Sequence, residues 1–232
     1  MKLVLLPLLL LACAGFALTG TVSLGGLLTS GNTDIRQLDS GLGLTGNPSS
    51  RLETGFNLSA SYGSQEEETY LEKYLSEGTM KYSFTDSDYA ASRAYWTRDE
   101  FSGISHEYGA TAGYGRMLVS GEAFSASLEA GGGYYSRENT LEESLEAASW
   151  YGGTLMEWQI SGSWKLTEDA RFSGDIEDSE NYGLESVFEA SSDITGSLSF
   201  VLGYDITYHN LPPVEGSEKT DTAVRVQLRL AI

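Results

Sequence analysis

The chain of 232 residues has one cysteine, four prolines and two histidines, and only 14 lysines and arginines against 33 acidic residues, for a net charge of −19. A single cysteine rules out an internal disulfide and a cysteine-based zinc site. So few basic groups exclude a phosphate-backbone binder, whose affinity comes from Lys and Arg neutralising phosphates, and no nucleic-acid partner is expected. Long apolar runs are missing beyond the first segment. The hydrophobic fraction is 41% and the mean hydropathy −0.21. That excludes a helical membrane bundle, which needs several apolar runs of roughly 20 residues. No sustained i, i+3, i+4 pattern of a helix follows Leu18, and neither a Gly-x-Ser-x-Gly elbow nor EF-hand spacing is present. No cofactor is called for. What the chain does have is 27 glycines, 14 tyrosines, 8 phenylalanines and 4 tryptophans. The aromatics argue against an acidic disordered chain, and high glycine with low proline suits strands and tight turns.

Residues 1–17 read as a signal peptide. Met1-Lys2 is followed by an almost wholly apolar run to Phe16, with small residues Ala12, Ala14, Gly15 and Ala17 near its end. Cleavage is expected after Ala17, with Ala14 as the alternative. Leu10-Leu11-Ala12-Cys13 resembles a bacterial lipobox, which makes Cys13 a candidate for lipidation, although the second position is usually smaller than Leu. Plain cleavage is the preferred reading, because a barrel needs no lipid anchor.

Alternation dominates residues 18–232. Val22, Leu24 and Gly26, then Phe124, Ala126, Leu128 and Ala130, then Leu198 to Tyr208, and finally Val224 to Ile232, all place apolar residues on even numbers. Trp150, Trp158 and Trp164 are read as one strand of the same parity. Several runs reach about 10 residues, enough for a tilted strand to cross hydrocarbon. Turn-like spots at 45–50, 85–88, 120–123, 167–170 and 191–196 alternate with longer polar connections at 29–34, 64–69, 102–107, 137–146, 178–182 and 210–220. The expectation is all-β: a transmembrane antiparallel up-and-down barrel of about 12 strands, with both termini on the periplasmic side.

The odd parity carries charge. Asp39, Glu53, Lys73, Glu77, Lys81, Glu129, Glu157, Lys165, Asp175, Glu177, Glu185, Glu189, Asp205, Arg225 and Arg229 fall on one side, which a wet or charge-paired lumen accepts. An acidic excess there would favour cations. The competing reading is a secreted, soluble acidic β-sandwich whose charged face is merely solvated. Tyr62, Tyr74, Tyr82, Tyr108, Tyr114, Tyr134, Tyr204 and Tyr208 share the outward parity, as an aromatic girdle would.

Gly20-Thr21-Val22-Ser23-Leu24-Gly25 with Thr29-Ser30-Gly31-Asn32-Thr33-Asp34, Arg98-Asp99-Glu100-Phe101-Ser102-Gly103, Gly113-Tyr114-Gly115-Arg116, Glu129-Ala130-Gly131-Gly132-Gly133-Tyr134 and Glu218-Lys219-Thr220-Asp221-Thr222 together resemble the YdiY-like family of salt-induced outer-membrane proteins. The resemblance covers the mature chain. It implies a Gram-negative outer-membrane barrel linked to salt or osmotic stress, a small pore or a structural envelope protein. Its partners would be outer-membrane lipid, lipopolysaccharide and the barrel assembly machinery. It brings no catalytic residue or ligand, and leaves the oligomeric state open. Outer-membrane barrels commonly end in Phe, whereas this chain ends in Ile232.

Two candidate chemistries remain. His106 and His209, placed at the outer ends of strands, could serve an outer-leaflet lipid hydrolase. Ser105 adjoins His106 but points to the opposite face, so a solvated loop histidine is the reading preferred for each. Gln65-Glu66-Glu67-Glu68 and Glu142-Glu143 could bind divalent cations or bridge to lipid phosphates, but read first as solvated charge. Ser-Gly-Asn-Thr-Asp at 30–34 reads as turn chemistry.

Overall fold

The computed structural model describes residues 18–29, 35–65, 68–140, 144–212, 216 and 218–232. They form twelve strands: β1 (Leu18–Thr29), β2 (Ile35–Ser49), β3 (Leu52–Gln65), β4 (Glu68–Ser83), β5 (Asp88–Asp99), β6 (Ile104–Ser120), β7 (Phe124–Asn139), β8 (Leu145–Gln159), β9 (Trp164–Asp175), β10 (Tyr182–Asp193), β11 (Leu198–His209) and β12 (Thr220–Ala231). Each pairs antiparallel with the next, and β1 closes on β12. The signal peptide with Cys13, the turn at 30–34, and the acidic pairs Glu66-Glu67 and Glu142-Glu143 lie outside the described residues.

Strand lengths match the hydrocarbon. Twelve residues rising about 3.3 Å each and tilted by about 40° climb about 30 Å. Away from the register shifts at strand ends, even-numbered positions face outward, where Val22, Leu24, Leu38, Leu128, Trp158, Leu202, Val226 and Leu228 are all exposed. The buried set instead includes Asp39, Asp99, Glu107, Asp175 and Gln227. A soluble protein arranges these classes the other way round. Closure into a barrel with an apolar outside and a polar inside replaces the soluble-sandwich alternative, because no two sheets share a core.

Three of the short turns at the end where β1 starts and β12 ends share one device. A hydroxyl accepts the amide hydrogen of the residue three further on: Thr85 from Asp88 (2.9 Å), Ser161 from Trp164 (3.2 Å) and Thr195 from Leu198 (3.1 Å). At the other end Gly103, with φ of 82°, takes the left-handed conformation that glycine allows, and its amide bonds the carbonyl of Glu100 (3.2 Å).

Three expectations need correction. The turn read at 167–170 is strand, within β9, and the real turn is at 160–163. Trp164 therefore starts a strand separate from that of Trp150 and Trp158. Glu168 broke the apolar parity there; it faces outward and accepts a hydrogen bond from Ser186 Oγ (2.6 Å). The polar connections at 102–107 and 137–146 are shorter than expected, since β6 starts at Ile104 and β7 continues to Asn139. Glu107 and Arg137 thus belong to the barrel wall. At 64–69, β3 and β4 likewise extend to Gln65 and Glu68.

The strands are not joined equally. β1 and β2 share twelve register pairs and β11 and β12 share eleven, but β1 and β12 share five, from Thr21–Ala231 to Gly25–Gln227.

Candidate functional site: the barrel lumen

Contacts that skip a strand identify the inner face, since only the concave side of a sheet brings such residues together. Arg229 on β12 donates to Glu189 on β10 (2.9 and 3.0 Å), Tyr135 on β7 to Asp175 on β9 (2.9 Å), and Arg171 on β9 to Thr111 on β6 (3.1 Å). Every one of these residues is odd-numbered.

Odd positions on β6 to β8 include Gly109, Gly113, Gly115, Gly131, Gly133 and Gly153, so this wall is low and tyrosine rings lie on it. The Tyr95 ring occupies the space a Cβ at Gly109 would take, and Tyr89 does the same over Gly115. Tyr151 lies over Gly113 and Gly131, and Tyr70 over Gly63. This is glycine sheltered by an aromatic ring on the neighbouring strands. Cations then stack on the rings: Lys81 is 4.0 Å from the Tyr89 centroid, Arg93 4.7 Å from Tyr95, Arg137 5.3 Å from Tyr135 and Arg171 3.7 Å from Tyr151.

Ion pairs tie these groups to carboxylates. Arg93 donates to Glu77, and Arg137 donates to Glu107. Glu107 also accepts from the Tyr95 hydroxyl (2.7 Å), and Asp175 from Tyr135 and from Asn181 (2.6 Å). Lys73 meets Asp99 at 3.1 Å and Lys165 pairs with Glu157. Arg225 grips Asp205 through two bonds of 2.5 and 2.7 Å, a fork geometry that guanidinium suits. Asp39 is buried, takes a bond from Gln37 (3.1 Å), and Gln37 accepts from Tyr70 (3.1 Å).

The residues expected to line the lumen are distributed as follows. Asp39, Glu53, Glu129, Glu157, Asp175, Glu185, Glu189, Asp205, Arg225 and Arg229 lie on strands at inward-parity positions. Glu177 does not; it sits in the connection between β9 and β10, because β9 ends at Asp175. Missed from the inner wall were Tyr70, Tyr89, Tyr95, Arg93, Glu107, Arg137, Tyr135, Tyr151, Asp169 and Arg171. Most of these share the odd parity, so asking which aromatics and arginines carry odd numbers would have found them.

Both histidines lie within strands, not in solvated loops. His106, on β6, faces outward between Trp96 and Tyr108, with ring centroids 6.0 and 6.3 Å away. Trp96 Nε1 donates to His106 Nδ1 (3.2 Å), so the neutral ring carries its proton on Nε2. A base that takes a serine proton through Nε2 needs the opposite tautomer. His209 ends β11 on the inner face, with its Nδ1 beside Gly183. Neither has the carboxylate–histidine–serine geometry of a hydrolase among the described residues. No group of three or more potential metal ligands occurs among those residues.

Among solved structures, similar folds include an outer membrane channel from Pseudomonas putida F1 (12% identity, 95% of this chain and 97% of that one, TM-score 0.53) and the NanC porin (11%, 93% and 98%, TM-score 0.52). The translocator domain of the autotransporter NalP from Neisseria meningitidis is also similar (11%, 94% and 88%, TM-score 0.51). At such identity these likenesses bear on the fold, which is that of outer-membrane β-barrels. In sequence, the chain is 28% identical over 211 residues to the uncharacterized protein YdiY of Escherichia coli (strain K12), spanning 90% of this chain and 81% of that one. Residues 22–231 match the family model described as protein of unknown function DUF481, and the chain belongs to that family.

Proposed function

We propose that the barrel is a narrow, cation-preferring pore of the outer membrane. One observation carries this reading. Glu53, Glu129, Asp169 and Glu185 on the inner wall have no basic side chain within ion-pair distance among the described residues. They outnumber the inner-wall cations without a carboxylate there, Lys81 and Arg171, whereas Lys73, Arg93, Arg137, Lys165, Arg225 and Arg229 are each tied to a carboxylate. The uncompensated charge of the lumen is negative, and a low-dielectric wall focuses that field on passing ions. The porin and channel folds among its structural likenesses support the same reading.

Purified protein in planar bilayers should give conductance steps, and under a potassium chloride gradient the reversal potential should take the sign of cation preference. Asp169→Asn with Glu185→Gln should move it toward zero. Absence of conductance would favour the second reading, a structural envelope barrel. That reading has its own support in the Arg93–Glu77 and Arg137–Glu107 pairs, whose side chains are all less than a quarter exposed. Outer-membrane placement is tested by fractionation and by heat-modifiable migration on a gel, and recovery in the soluble periplasmic fraction without detergent would sink it. Delivery by a cleaved signal peptide, insertion by the barrel assembly machinery, contact with lipopolysaccharide and a salt or osmotic role belong to the same proposal. The last is checked by whether protein level rises with external salt.

A further inference from the structure

Arg171 on β9 and Glu185 on β10 are directly opposite in register, on the same inner face. Opposite charges so placed ordinarily pair. Here they do not. The Arg171 guanidinium turns the other way, toward β8 and β6, to donate to Thr111 (3.1 Å) and lie on the Tyr151 ring (3.7 Å). No carboxylate is within ion-pair distance of it among the described residues, and Glu185 likewise lacks a basic partner there. Arg171 also lies in the electrostatic range of Arg93, Glu185 and Glu129, and of the two guanidiniums only Arg93 has an ion-paired carboxylate, Glu77. Glu185 in turn reaches the fields of Lys73 and Arg93 from β4 and β5, across the lumen. Asp169, next to Arg171 on the inner face of β9, adds a second free carboxylate.

Positive and negative charge therefore face one another across one level of the lumen without closing into an ion pair between Arg171 and Glu185. The guanidiniums gather toward β5, β6 and β8, held by aromatic rings and a hydroxyl, while the free carboxylates Asp169 and Glu185 stand on β9 and β10 and a third, Glu129, on β7. A guanidinium without a carboxylate partner, Arg171, attracts an anionic group, and two carboxylates without a base attract a cationic one. We infer that this level of the lumen is a binding site for small zwitterionic solutes, the carboxylate end against Arg171 and Arg93 and the ammonium end against Glu185 and Asp169. A zwitterion makes both contacts at once and gains from each. A neutral solute gains from neither, and a singly charged one meets repulsion from the other half.

This inference rests on the pore reading, and the experiment separates the two. Proteoliposomes carrying the full mature chain are assayed for uptake of glycine and gamma-aminobutyrate against the neutral solutes glycerol and erythritol. A water-exposed ion pair is worth up to about 1 kcal/mol, which is about fivefold in rate. At least one zwitterion should therefore enter about fivefold faster than its neutral counterpart. Arg171→Gln and Glu185→Gln should each abolish that advantage, read as the ratio of zwitterion to glycerol entry in the same vesicles. Glu185→Gln keeps side-chain volume, Arg171→Gln shortens the side chain, and heat-modifiable migration reports the folding of both. The reversed pair Arg171→Glu with Glu185→Arg should retain a zwitterion advantage, since the site is turned around rather than removed. Equal entry of zwitterionic and neutral solutes, or an advantage that survives both single variants, overturns the site alone. No entry of any solute overturns the site and the pore together.

Discussion

Replacing Arg137 by alanine should cost the barrel about 3–5 kcal/mol of stability, the usual penalty for stranding one member of a buried ion pair. Glu107 is 7% exposed and depends on Arg137 for its counter-charge. Its other partner, the Tyr95 hydroxyl, can donate a hydrogen bond but cannot neutralise it. Alanine also removes the cation from the Tyr135 ring. Two further variants separate these contributions. Glu107→Gln combined with Arg137→Ala should recover much of the loss, because no charge is then left alone. Arg137→Lys should fall between, keeping the charge but losing the planar stacking. The urea midpoint, followed by tryptophan fluorescence in detergent, is the measurement. An unchanged midpoint in Arg137→Ala would show that lumen water solvates Glu107 and that the pair is not structurally needed.

Gly115→Val and Gly109→Val form the second large perturbation. A Cβ at either position would sit inside a tyrosine ring, Tyr89 in one case and Tyr95 in the other. Tyr89 is 3% exposed, so its ring has no free rotamer along the wall and must swing into the lumen. Overpacking of this kind costs about 1–3 kcal/mol. The displaced ring also narrows the passage, so single-channel conductance should drop along with stability. Gly152→Ala is the control. The nearest heavy atom to a Cβ there is 3.9 Å away, and the position faces outward. It should change neither quantity. If Gly115→Val conducts like the native chain, the rings do not set the bore.

The strand count and the facing of each strand could be read from parity, because the outward residues must be apolar in lipid and the period of two is rigid. Strand ends could not. The inner face of a barrel is as polar as its loops, so Glu107 and Arg137 looked like loop residues although they lie in strands. Glu168 misled in the opposite way, since a carboxylate on the outward face resembles a turn. Ring-over-glycine packing depends on which residues of neighbouring strands meet, a matter of register, as with Tyr95 and Gly109. The split between Arg171 and Glu185 was further out of reach. The sequence places them in opposition only once register is known, and even then the choice of Tyr151 over Glu185 is a matter of side-chain direction.

The five register pairs between β1 and β12 have a consequence for how the molecule comes apart. In every other junction a strand must lose a long ladder before it separates, but here the first and last strands meet through five register pairs and a pair of bonds between Gly20 and Ile232, about half the ladder between β1 and β2. A closed ring under thermal agitation breaks at its weakest clasp, and once that clasp is undone the ring is an open sheet with two raw edges. The amide hydrogens that face this junction, those of Gly20, Val22 and Leu24 and of Leu228, Leu230 and Ile232, should accordingly exchange with deuterated water ahead of those in β6 and β7, the staves farthest around the hoop. Uniform exchange around the ring would show that closure is tighter than its ladder suggests.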